Sequence, residues 1–229
     1  MLILAFETSA KAASAALLRD GILLGESYQN TGLTHSQTLL VMAQDLLKQC
    51  GLTVGDVTHV AVAEGPGSFT GIRIGVAAAK GLSWGGRLPL CGVSTLEAMA
   101  LGLGAYEGIV CPVMDARRSQ VYNALFRAEG GKLTRIAPAR AISLEDLGKE
   151  LSALPGPVFL VGDGSYVTHK ALPGTVLPPE HRLHQRAAGV ALVAEGKIAS
   201  GESCDGAALT PNYLRLSQAE RERLEKQKK

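Results

Sequence analysis

The sequence predicts an α/β protein built as two lobes, and three observations predict it. An apolar strand opens the chain and runs into a meander turning at Asp20-Gly21. Helical apolar patterns then alternate with short apolar strands as far as about residue 103. From residue 109 the order begins again, with an apolar strand ending in Asp115, an alternating strand and a Gly130-Gly131 turn. Strands alternating with helices imply sheets covered by helices, and a repeat of that order implies a duplicated unit with a cleft between its copies. The expected lobes are residues 1–105 and 106–216, followed by a charged tail, 217–229.

Residues 2–6 read as a buried strand, and 12–18 and 22–28 flank Asp20-Gly21, a two-residue hairpin signal. Thr34-x-x-Gln37 has the form of a capping box, and Leu39, Met42, Ala43, Leu46 and Cys50 recur at helical spacing, so a helix is expected over 35–49, ending at Gly51. A strand over 57–63 leads through Glu64-Gly65-Pro66-Gly67-Ser68-Phe69-Thr70 into a helix over 71–84. A strand at 89–93 reaches Ser94-x-x-Glu97, a second capping box, which opens a helix to Leu103. In the second half, 109–114 is a strand, 121–127 alternate, Ser143-Leu144-Glu145-Asp146 starts a helix, and 157–161 is a strand closing on Gly162-Asp163-Gly164. An Ala-rich helix over 186–198, an irregular stretch at 207–216 and a tail that is frayed or disordered complete the chain.

Composition narrows the classes. The 229 residues are 46% apolar and 19% charged, as in ordinary soluble α/β proteins. Cys50, Cys91, Cys111 and Cys204 lie far apart without a Cys-x-x-Cys pair, which reads as reduced thiols in a cytosol. The N-terminal stretch lacks the basic region of a signal peptide, and no apolar run reaches the ~18 residues of a membrane span. Six basic and three acidic residues from 215 to 229 carry +3 of the net +2, which leaves the body at −1; a broadly basic body gripping nucleic acid is not indicated.

The candidate chemistry centres on the glycine-rich loop. It lacks the Gly-Lys-Ser/Thr of a P-loop, and Gly65-x-Gly67-x-x-x-Gly71 does not match a dinucleotide fingerprint. Its backbone N–H groups at 67–71 either face an anion or serve tight packing. Arg73 either binds an anion or pairs with Glu64. The second helix carries Gly71, Gly75, Ala78, Ala79 and Leu82 along one side, a face that admits close approach. His35 opens the first helix, His181 and His184 lie three apart without a third ligand, and Asp115 with Arg117 and Arg118 ends a strand facing the cleft. The first helix is apolar beyond one stripe: Leu39, Leu40, Met42, Ala43, Leu46 and Leu47 put apolar groups on two faces.

These motifs resemble the TsaB (YeaZ) family of tRNA threonylcarbamoyladenosine biosynthesis. They are Phe6-Glu7-Thr8-Ser9, Thr34-His35-Ser36-Gln37, Gly65 to Gly75, Gly92-Val93-Ser94-Thr95-Leu96, Met114-Asp115-Ala116-Arg117 and Pro211-Asn212-Tyr213-Leu214-Arg215. The resemblance implies the two-lobed actin-like, Hsp70-like and sugar-kinase fold, a duplicated ribonuclease H-like unit. It implies a cytoplasmic partner of the catalytic TsaD, joined by the ATPase TsaE. TsaD transfers the threonylcarbamoyl group, made by TsaC, to N6 of the adenosine beside the anticodon in tRNAs reading codons that start with A. Where TsaD carries His-x-x-x-His for its metal, this chain has Thr95 and Met99.

Two functional expectations follow. The first is an accessory subunit with no catalytic residue, metal or cofactor of its own, ATP being used by the TsaD/TsaE complex. It would contact tRNA only through that complex and no membrane at all. Its partner face, for TsaD or for a second copy in a homodimer, is expected at His35, Leu39, Met42, Leu46, Ile72, Gly75, Val76 and Ala79. Charge at Leu39 and Met42 is then expected to block pairing while the protein stays folded. The second is a nucleotide- or metal-dependent hydrolase or peptidase acting alone through Glu7, Asp115 and Gly162-Asp163-Gly164.

Overall fold

A computed structural model describes residues 1–104, 106–202 and 205–215. The chain opens with β1 (Leu2–Glu7), β2 (Ala13–Arg19) and β3 (Ile22–Gln29), then α1 (His35–Gln49), β4 (His59–Gly65), α2 (Phe69–Gly86), β5 (Leu90–Ser94) and α3 (Thr95–Leu103). The second series is β6 (Gly108–Asp115), β7 (Gln120–Glu129), β8 (Lys132–Ser143), α4 (Leu144–Ser152), β9 (Val158–Val161), α5 (Ser165–Ala171) and α6 (Ala187–Ala199). The strands form two sheets, ordered β3-β2-β1-β4-β5 and β8-β7-β6-β9. In each, a meander of three antiparallel strands is extended by a parallel strand on the far side of its first member. The repeat of order in the sequence is thus a repeat of topology, with β5 as the extra strand of the first copy.

β1 is buried on both faces, and its residues divide by parity. Leu2, Leu4 and Phe6 meet Leu39, Met42 and Leu46 of α1 and Ile72 and Val76 of α2. Ile3 and Ala5 face Ala187, Val190 and Ala194 of α6. In the second sheet Val110 and Met114 pack on Leu96, Met99 and Leu103 of α3, while Ile109, Cys111 and Val113 pack on Leu147 and Leu151 of α4. α3 therefore sits between the sheets and is shared by both.

The helix starts differ from the capping-box reading. Thr34 and Ser94 make no side-chain cap; Glu97 is drawn away from Ser94 into an ion pair with Arg135 on β8. Ser143 does cap α4, its hydroxyl accepting from the Asp146 N–H at 3.0 Å. Two elements had no signal in the sequence. β8 is an exposed edge strand whose alternation is broken by Arg and Pro, and α5 is only 7 residues long.

The lobe boundary also needs correction. α6 packs on the first sheet and on α3, and Leu209 joins the core beneath α1 and α2, so the end of the described chain returns to the first lobe. The cause is the composition of α6. Its Ala, Gly and Val residues are buried around most of the helix, which requires two covering surfaces. The first sheet supplies one and α3 the other, close enough that a Cβ on Gly189 would lie 2.2 Å from the Ala98 carbonyl oxygen. The expected tail at 217–229 and Cys204 lie outside the described residues. No helix among the described residues is long and apolar enough to cross a membrane.

Candidate functional site

The C-terminal end of β1 marks the boundary between the lobes. Glu7 is fully buried there, one carboxylate oxygen accepting from the Ser9 N–H at 2.6 Å and the other accepting from no described group. Burial pushes its pKa from the ordinary 4.5 up to about 7, and the nearby Asp163 carboxylate adds to the rise. Because the folded state holds this proton more tightly than the unfolded chain, the group destabilises the protein progressively as pH rises from about 4.5 through 7. Glu7→Gln keeps the acceptor for Ser9 and removes the charge. It is expected to match the parent near pH 4.5 and to exceed it by up to ~3 kcal/mol at pH 8 in urea denaturation; equal stability at both values would refute the placement of this carboxyl.

The glycine-rich loop closes on this strand end rather than opening to a ligand. The Ser68 N–H donates to the Ser9 carbonyl at 2.6 Å, and the Ser68 hydroxyl caps α2 by accepting from the Gly71 N–H at 3.2 Å. The Thr8 hydroxyl donates to the Gly71 carbonyl at 2.8 Å. A Cβ at Gly71 would sit 2.1 Å from the Thr8 carbonyl oxygen, and one at Gly75 2.3 Å from the Thr8 hydroxyl oxygen. The glycines thus seat α2 against β1, not against α1. Two of the N–H groups between residues 67 and 71 are committed inside the protein, so packing is the better of the two readings.

Residues 211–215 run across the mouth of the interlobe cleft. Tyr213 stacks on Phe69 with ring centroids 4.7 Å apart, and the Arg73 guanidinium covers Phe69 at 3.7 Å while its Nε donates to the Tyr213 hydroxyl at 2.9 Å. The Asn212 N–H donates to the Glu64 carbonyl at 2.7 Å. On the other lobe, Arg215 Nη1 donates to the Ala116 carbonyl at 2.8 Å. Arg73 is therefore engaged by Phe69 and Tyr213 and is not the partner of Glu64. This strap was legible only as a motif, because its contacts join residues 140 positions apart.

The cleft beneath the strap measures about 700 Å³ and is lined by Ser9, Lys11, Asp115, Arg117 and Asp163 among others. Asp115 does not pair with an arginine side chain; its carboxylate accepts from the Arg117 N–H at 2.7 Å, holding a turn in which Arg117, Arg118 and Ser119 all have positive φ. Asp163 accepts from Gln185 Nε2 at 2.7 Å, and desolvation at the cleft floor raises its pKa. His184 meets Glu180 at 3.3 Å, while His181 is exposed and makes no ligand cluster with it. Thr95 and Met99 are buried on α3, the Met99 sulfur set against Gly162, so core packing fills the two positions. Among the described residues no group of three His, Cys, Asp or Glu side chains is placed to hold a metal.

The expected partner residues are placed differently from the sequence reading. Leu39, Met42, Leu46, Ile72, Gly75, Val76 and Ala79 are all buried in the core between α1, α2 and the sheet. His35 is half-buried, and its Nε2 meets the Ala10 carbonyl at 2.8 Å, tying α1 to the β1–β2 turn. The stripe at i, i+3, i+4 and i+7 is the core face, since only that face can satisfy the sheet. The outer face of α1 is carried instead by Leu40 and Val41, 48% and 54% exposed. Leu40, Ala43, Gln44 and Leu47 of α1, with Leu52 and Val54 of the following turn and Leu82 of α2, line a groove of about 390 Å³ along α1. The adjacent pairs Leu39-Leu40 and Val41-Met42 contained this signal, because neighbouring helical residues point to different faces.

A family model described as "TsaD: tRNA N6-adenosine threonylcarbamoyltransferase" matches residues 29–222. The chain is 33% identical over its full length, and that of the relative, to the Bacillus subtilis tRNA threonylcarbamoyladenosine biosynthesis protein TsaB. Among solved structures, YeaZ from Pseudomonas aeruginosa superposes with a TM-score of 0.78 at 28% identity, covering 93% of this chain and 99% of that one. Component A of the Acidaminococcus fermentans (R)-2-hydroxyglutaryl-CoA dehydratase superposes with a TM-score of 0.52 at 14% identity, covering 87% of this chain and 99% of that one, a likeness of fold alone. The fold is the two-lobed actin-like and sugar-kinase architecture.

Proposed function

The chain belongs to the TsaB/YeaZ family of tRNA threonylcarbamoyladenosine biosynthesis proteins, and from that premise we propose that it is an accessory subunit that pairs with the catalytic TsaD. The observation that carries the proposal is the outer face of α1 and the groove it borders with Leu82 of α2. Leu40 and Val41 stand exposed beside an apolar groove on helices whose opposite faces already fill the core. Such a face favours burial against another helical surface. The same face accounts for pairing with a second copy when TsaD is absent. On this reading TsaE and its ATP join the TsaD pair, the chain holds no cofactor of its own, and it works in the cytoplasm where tRNA is modified.

Two features support an accessory role over an independent hydrolase. The cleft is crossed by the chain's own strap, and the positions that would hold the metal of the catalytic relative are Thr95 and Met99, packed in the core. In a reaction reconstituted from TsaC, TsaD, TsaE, ATP, threonine, bicarbonate and unmodified tRNA, omitting this chain is expected to cut formation of threonylcarbamoyladenosine at least tenfold. Calorimetry of the isolated chain with ATP is expected to give no binding. Full modification without the chain, or tight ATP binding by it alone, would favour the hydrolase instead.

A further inference from the structure

Trp84 is the only tryptophan of the chain and stands 90% exposed, more than any other large apolar residue among those described. Exposing an indole forgoes the burial such a ring ordinarily gains. At 100° per residue, Arg73, Lys80 and Trp84 fall along one flank of α2, whereas Ala78 and Leu82 fall on the flank that meets α1. Trp84 is therefore not a continuation of the α1–α2 groove. Arg87, the left-handed C-cap of α2 at φ 53°, stands just beyond it. No described group bonds or pairs with the side chains of Trp84 or Arg87. Lys80 Nζ reaches only the Ala207 carbonyl, at 3.5 Å.

These groups border a hollow of about 590 Å³ that also touches Pro89, Asp205 and Gly206. The single acid there, Asp205, is exposed, one carboxylate oxygen accepting from the Ala207 N–H at 2.8 Å. Gly81 and Gly85 leave open space beside the ring. Cations near a helix C-terminus also complement the helix dipole, but that does not account for a bare indole between them.

We infer that this flank contacts unpaired RNA, one base stacking on Trp84 while Lys80 and Arg87 hold the flanking phosphates. A ring face open to solvent, with Arg87 unpaired among the described residues and Lys80 held by one carbonyl alone, matches a ligand that presents a flat π surface and an anion in each repeat unit. The hollow has the volume of a site for one or two nucleotides. The inference rests on the reading that the chain serves tRNA modification, and it adds direct contact to a role otherwise reached through the complex.

Trp84 is its own reporter. Titrating the full-length protein with an unmodified tRNA anticodon stem-loop is expected to quench its intrinsic fluorescence saturably. Anisotropy of the labelled stem-loop is expected to show Lys80→Glu with Arg87→Glu weakening binding at least tenfold and flattening the log–log salt dependence by about 1.4. Trp84→Ala is expected to weaken binding fivefold or more and Trp84→Phe less. Circular dichroism checks that each variant is folded, and co-purification with TsaD is measured in parallel. Normal pairing with weakened RNA binding supports the inference. Binding without quenching, binding unchanged in the variants, or quenching by TsaD but not by RNA overturns it while the accessory role stands. Failure of the parent chain to pair with TsaD would instead strike the proposed function.

Discussion

Replacing Leu40 and Val41 together by aspartate is expected to abolish pairing with the catalytic subunit and the modification that depends on it, while unfolding remains cooperative with an unchanged midpoint. Both side chains are about half exposed, so a carboxylate at either position stays hydrated in the free protein. In a complex that covers the α1–α2 groove, the same carboxylates would be buried without partners, at several kcal/mol each. The corresponding pair one position away behaves differently. Leu39 and Met42 are 1% and 4% exposed and contact β1 through the core, so Leu39→Asp with Met42→Asp is expected to prevent folding outright, each buried carboxylate costing ~4 kcal/mol or more. Denaturant unfolding and co-purification of the two double variants separate the faces. Pairing by a folded Leu40→Asp, Val41→Asp variant would remove the outer face as the docking surface.

That contrast shows where the sequence was informative. Helix α1 was legible to the residue at both ends, because its stripe from Leu39 to Cys50 has one period and Gly51 stops it. The duplication was legible as well, from two meanders whose opening strands end in acidic residues, Glu7 and Asp115. Which apolar face looks outward was in the pattern but was assigned to the wrong residues: a helix lying on a sheet must give its most regular stripe to the sheet, and only the residues off that stripe remain for a partner. The small residues of α2 misled for a related reason. A glycine at i and i+4 signals that something comes close, and the sequence does not say what; here it is Thr8, just past the end of β1 and sixty-three residues before Gly71. The strap through Tyr213 and Arg215 and the return of α6 to the first lobe join distant parts of the chain, and no local pattern encodes such pairings.

The same substitution at two glycines of α2 is expected to act with opposite sign. At Gly81, in the middle of the helix, an added Cβ meets nothing within 4 Å, so Gly81→Ala is expected to raise stability by the ~0.5–1 kcal/mol that separates the two residues in helix propensity. At Gly71, in the first turn, the added Cβ would lie 2.1 Å from the Thr8 carbonyl oxygen. That neighbour is main chain immediately after β1, at a fully buried residue, and has no rotamer by which to withdraw. Either α2 lifts from the sheet or β1 distorts beside buried Glu7, and both open the core around Ile72 and Val76. Overpacking of this kind costs ~1–3 kcal/mol, and more when the obstacle is main chain, which outweighs the propensity gain. Gly71→Ala is therefore expected to lose ~3 kcal/mol in urea denaturation. It is also expected to weaken pairing with the catalytic subunit, since a displaced α2 no longer frames the groove with α1. A Gly71→Ala protein as stable as Gly81→Ala would mean that α2 does not seat on Thr8, and the packing role given to the glycine-rich loop would fall with it.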